Sequence, residues 1–87
     1  MKTYLSKKFK KKLDKLYRQD RKIVSLIDKQ LGLFKSNPRH PSLRLHKISG
    51  KKAEDWSLTI KGNLRIVFTF YQEGILLIDV GSHDEVY

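Results

Sequence analysis

His40, His46 and His83 are a generous supply of imidazole for a chain of 87 residues. Imidazole has a reference pKa of about 6.5, so it gains and loses protons near neutral pH. His40 falls in His40-Pro41-Ser42 and His83 follows Gly81-Ser82. Both flank apolar segments, at element ends where functional side chains collect. His46, within Arg44-Leu45-His46-Lys47, reads as an ordinary polar strand residue. Arg65 stands between Leu64 and Ile66 in an otherwise apolar run. A guanidinium there either emerges on the open side of a sheet or is buried with a partner, and Asp79 and Asp55 are the acids available.

With Tyr87, these residues could supply a base, an acid and a cation. Cleaving RNA without a metal needs that set: a base for the 2′-OH, a cation for the dianionic phosphorane and an acid for the 5′-oxygen. A zinc site fits poorly, because the histidines are six and thirty-seven residues apart and there is no cysteine. No metal or cofactor is expected.

The charge points to the same kind of substrate. Nineteen Lys and Arg against nine Asp and Glu give +10. Residues 1–35 hold twelve bases and three acids, whereas residues 73–87 hold four acids and no Lys or Arg. Such an excess calls for a polyanionic partner, nucleic acid or an acidic protein. The absence of cysteine removes disulfides and thiolate chemistry and fits a cytoplasmic location. No apolar run approaches the roughly 20 residues of a membrane helix, and no apolar signal core follows the basic start.

The elements that must position these groups change period halfway along. Phe9, Leu13, Leu16 and Tyr17 recur at helical spacing with Ser6 as N-cap. Ile23, Ile27, Leu31 and Phe34 mark a second helix, capped by Asp20 and ended by Asn37-Pro38. Trp56–Lys61 and Leu64–Tyr71 then alternate around Lys61-Gly62-Asn63, and Ile75–Val80 follows a second turn at Gln72-Glu73-Gly74. Leu43–Ile48 and Thr3–Ser6 are further strand candidates, and Trp56 is a core residue. The expected fold is one α+β domain over 1–87: two antiparallel helices on one face of a twisted, mainly antiparallel sheet, in the order β-α-α-β-β-β. The other face is left for function. Lys8, Lys11, Lys12 and Lys15 of the first helix, with Arg44, Lys51 and Lys52, are the candidate RNA contacts.

The segment from His40 to Tyr87 resembles the RelE/ParE toxin superfamily, most clearly in Trp56-Ser57, Asn63-Leu64-Arg65-Ile66-Val67-Phe68, Val80-Gly81-Ser82-His83 and Tyr87. The resemblance implies the toxin half of a type II toxin–antitoxin system. Members divide between mRNA cleavage on the ribosome and gyrase poisoning. For the first activity it implies Arg65 on the scissile phosphate, His40 as general base, His83 as general acid, Tyr87 orienting the nucleotide and Asp55 tuning the site. The RelE branch carries a lysine pair where this chain has Ser57 and Thr59, and the histidine-rich branch has His at Lys51. The implied partners are an antitoxin with an acidic toxin-binding segment, the ribosome and mRNA, with promoter DNA reached only through the antitoxin complex. The alternatives are a gyrase poison and a non-catalytic basic partner.

Overall fold

Ser6 starts the first helix, α1 (Lys7–Gln19): its Oγ accepts the Phe9 amide at 3.0 Å. The same hydroxyl donates to the Ile78 carbonyl at 2.9 Å, and the Ser6 amide donates to Leu77 O, so the cap also pins the helix to the last strand. These features belong to a computed structural model that describes residues 1–48 and 54–86. Phe9 is fully buried and Leu13 and Leu16 pack beside it, whereas Tyr17 is exposed under the Arg21 guanidinium. Eight residues at 100° each carry Tyr17 about 80° round from Phe9, off the edge of the buried stripe.

Asp20 does not cap the second helix, α2 (Ile23–Ser36), whose N-cap is Lys22 without a side-chain bond. It closes α1 instead, and its carboxylate accepts the Lys22 amide and binds Lys61 Nζ, each at 3.0 Å. An acid within the tight interhelical turn satisfies more groups there than at the start of α2. Ile23, Ile27, Leu31 and Phe34 are buried as their spacing predicts.

Strands β1 (Lys2–Leu5), β2 (His46–Lys47), β3 (Asp55–Lys61), β4 (Leu64–Tyr71) and β5 (Gly74–Ser82) form one sheet in the order β1-β5-β4-β3-β2. Among the described strands only the β1–β5 pair is parallel. Lys2 passes so close to Gly74 that a Cβ there would overlap the Lys2 carbonyl, which is why the turn residue is glycine. The strand expected over Leu43–Ile48 shrinks to two residues. Pro41–Leu43 forms a 3-10 turn, and Arg44 takes a left-handed conformation (φ 44°, ψ 45°) that breaks the extended run.

Leu58, Ile60, Ile66, Phe68, Ile75, Leu77 and Val80 face the helices, with Phe34 edge-on to Phe68 at 5.1 Å. Trp56 packs half-buried against this core, 6.2 Å from Phe70. Alternation places Asp55, Ser57 and Thr59 on the other face, opposite Thr69, Val67 and Arg65 respectively. A bulge at Ile78 resets β5 so that Asp79 pairs with Val67 and Gly81 with Arg65. A last turn of helix, α3 (His83–Val86), folds back over Gly81, where any Cβ would press on Glu85 and Val86.

Candidate active site

Thr59, Arg65 and Gly81 form one row across the sheet. At β5 the row is covered by α3, whose Glu85 and Val86 side chains lie against Gly81. Arg65 is half-buried, and its Nη1 donates to Thr59 Oγ1 at 3.1 Å. Its Nε is buried with no acceptor among the described residues. Neither expected acid reaches it. Asp79 is taken by Lys12 Nζ at 2.7 Å and Lys8 Nζ at 3.1 Å. Asp55 lies four residues from Thr59 along β3, about 14 Å at 3.4 Å per residue, and its Oδ1 is also buried without a partner among the described residues. A buried donor left unmade costs about 1–3 kcal/mol, so it marks a place where a ligand atom would be stabilising.

His46 is the residue the sequence reading passed over. β2 sets it opposite Ser57, on the face that carries Thr59 and Arg65. Its Nδ1 lies 3.2 Å from the Arg44 carbonyl. A carbonyl can only accept, so Nδ1 carries the hydrogen. In the neutral ring Nε2, 3.5 Å from Ser57 Oγ, is then the basic nitrogen. The available signal was the strand period, since only an extended His46 brings its ring over Ser57.

His40 has the reverse arrangement. Its Nδ1 accepts the Ser42 amide at 3.1 Å, capping the 3-10 turn, so its Nε2 carries the hydrogen. A second proton on this ring would displace the cap. His40 also lies beyond the outer edge of β3, while His83 begins α3, two residues past the Arg65 partner Gly81. The structure therefore sets these two histidines on opposite flanks of three strands, with about 10 Å between β3 and β5 alone. The His83 ring is exposed, 3.6 Å from an Asp84 carboxylate oxygen. Tyr87, Lys51 and Lys52 lie outside the described residues. Among those described, no three His, Asp or Glu side chains gather as metal ligands.

The lysines of α1 divide. Lys8 and Lys12 hold Asp79, whereas Lys11 and Lys15 are exposed without an ion-pair partner among the described residues. Arg44 lines a cleft beside β3. Burial by itself pushes the Asp79 carboxyl up, but hydrogen bonds from Lys12, Lys8 and the Val80 amide outweigh it and hold the group below the usual 3.8. A depressed folded value stabilises the protein above the unfolded pKa and stops doing so as pH falls through the folded one. Urea melts should therefore show stability dropping as pH is lowered below about 4. Asp79→Asn should flatten that part of the curve; an identical acid limb in the variant would assign the drop to other carboxylates.

Comparison with known proteins bears on the whole chain. Residues 4–87 match the family model described as the ParE toxin of type II toxin–antitoxin systems, parDE. No curated protein matches. The fold superimposes on a copper-bound mutant toxin from Helicobacter pylori at 29% identity and a TM-score of 0.83, covering 100% of this chain and 99% of that one. It superimposes on a YoeB/ParE toxin from Agrobacterium tumefaciens at 21% identity and 0.78, covering 95% and 99%. The E. coli DinJ–YafQ toxin–antitoxin complex gives 12% identity and 0.80, with 99% and 96% covered. The last two are likenesses of fold.

Proposed function

Since the chain belongs to the ParE toxin family of type II toxin–antitoxin systems, we propose that its poison is metal-free cleavage of mRNA on the ribosome. The observation that carries this reading is Arg65: a half-buried guanidinium whose buried Nε donor is unmade, no acid partner among the described residues, and a basic imidazole nitrogen on the same face. His46 Nε2 takes the 2′-OH proton as that oxygen attacks the adjacent phosphorus. Arg65 binds the phosphorane oxygens as their charge grows. His83, separated from His46 by β3, β4 and β5, delivers a proton through water to the departing 5′-oxygen, leaving a 2′,3′-cyclic phosphate and a 5′-hydroxyl. Preorganised donors in a site shielded from water act most strongly where charge develops.

His46 replaces His40 as the base in this scheme, because the Ser42 cap leaves His40 with a donor rather than an acceptor at Nε2. Tyr87 orients the nucleotide, and Asp55 is given no step. The ribosome aligns the substrate, so free RNA should be a poor one. Lys11 and Lys15 of α1 contact rRNA phosphates. The toxin works in the cytoplasm and is held by an antitoxin, a pairing that the DinJ–YafQ complex supports by analogy; an acidic antitoxin segment would complement the basic N-terminal half.

The second reading is gyrase poisoning, the other activity among members of the RelE/ParE superfamily that the sequence resembles. A gyrase binder has no evident use for an arginine with an unmade Nε donor on the face that also carries a basic histidine. Expression without antitoxin separates the two. Translation should stop before DNA replication, and mRNA 5′ ends should accumulate at ribosomal positions. Replication halting first, with DNA breaks and continued protein synthesis, would establish the gyrase reading.

A further inference from the structure

Between α2, the Pro41–Leu43 turn and the outer edge of β3 lies a cleft of about 810 Å³, within the range of ligand cavities. It exists because β2 pairs only with Trp56 and Ser57, leaving the second half of β3 uncovered on that side. Lys29, His40, Arg44 and Lys61 line it, with no acid among the described lining residues. Lys61 is shared with Asp20, but Lys29 and Arg44 have no acid partner among the described residues. Capping leaves His40 with an N–H at Nε2. Arg44 is held in a backbone conformation that non-glycine residues enter at a cost, of the kind that gathers at functional sites. Its carbonyl positions the His46 ring while its side chain lines the cleft.

Four cationic or N–H-bearing side chains call for an anion. A peptide strand added to β3 would need the Thr59 carbonyl, and Gln30 Nε2 already occupies it at 2.8 Å. A phosphodiester needs only the donors. Thr59 also links the cleft to the other site, because its hydroxyl accepts from Arg65. The two places are separated by one strand, about 4.8 Å, a gap that the sugar between two consecutive phosphates can span.

We propose that the cleft seats the phosphodiester next to the scissile one. Single-stranded RNA then crosses the outer edge of β3 with one phosphate at Arg65 and its neighbour on Lys29, Arg44 and the His40 N–H. The assignment rests on the RNA-cleaving reading for its second phosphate, but its test does not require cleavage. NMR titration of the full chain would use RNA probes carrying 2′-deoxyribose at the attacked sugar, which cannot be cut. One is a dinucleotide with a single phosphodiester and the other a trinucleotide with two. The trinucleotide should bind more tightly and shift the amides of Lys29 and Gly62. Lys29→Gln, an exposed change on α2, should weaken the trinucleotide about fivefold and leave the dinucleotide unchanged. Its salt slope on the trinucleotide should fall by about 0.7, one contact on a single strand. Equal loss on both probes, no loss on either, or no binding of either probe overturns the proposal. So does a Lys29→Gln protein that keeps RNA affinity and loses only an acidic peptide. A protein that shows the two-probe difference yet leaves ribosome-bound mRNA intact retires the nuclease and keeps the RNA cleft.

Discussion

Replacing Arg65 with Ala is expected to slow cleavage of ribosome-bound mRNA by about 10²–10³, the usual loss for one preorganised donor aimed at developing charge. Arg65→Lys should recover little, because lysine keeps the charge and loses the planar fork. The fold should survive. No carboxylate among the described residues is stranded by the change, and the bond given up is the one to Thr59 Oγ1. That bond is worth about 1 kcal/mol, or roughly 4–8 °C in a domain of this size. The unmade Nε disappears as well, which works in the opposite direction. Cleavage in a single-turnover ribosome assay and thermal melting together decide the matter. A well-folded Arg65→Ala protein cutting at near wild-type rate sinks the mechanism.

His46→Ala should cost about 10²–10⁴, the span of a lost general base. His40→Ala should cost the chemical step far less, since its Nδ1 caps a 3-10 turn and its remaining nitrogen is a donor. Both variants are to be compared in the same single-turnover assay with their melting temperatures alongside. The base returns to His40 if the order is reversed in two equally folded proteins. Removing Ser57 Oγ tests the same geometry more gently, because that hydroxyl lies 3.5 Å from Nε2 and serves to orient the ring.

The large elements were legible because their signals are local. Steps of three and four in Ile23, Ile27, Leu31 and Phe34, and alternation through Trp56–Lys61 and Leu64–Tyr71, describe faces that one core must cover. The superfamily was legible from the strand motifs around Arg65 and His83, and the matched family and shared fold agree with it. What escaped depends on partners distant in sequence. Asp20 carries the same cap-forming chemistry at either end of a turn, so only the position of Lys61 settles which helix it serves. Arg65 might have paired with Asp79 from strand geometry alone; the lysines of α1 decide otherwise, and α1 reaches Asp79 because β1 covers β5 only as far as Leu77. His40 and His46 are chemically alike in sequence. Two hydrogen bonds, one from an amide and one to a carbonyl, give them opposite tautomers.

β5 is the last strand to be made and sits inside the sheet, between β4 and β1. Lys2 through Ser6 find strand partners far along the chain, in Gly74–Ile78. During synthesis at about 5–20 residues per second, α1 and α2 can coil early, but β1 waits for β5. Gly81, which completes the Arg65 row, arrives later still. Such long-range closure slows folding. Until the sheet closes the row that carries Arg65 is incomplete, so any activity that depends on that row waits for β5 to seat between β4 and β1.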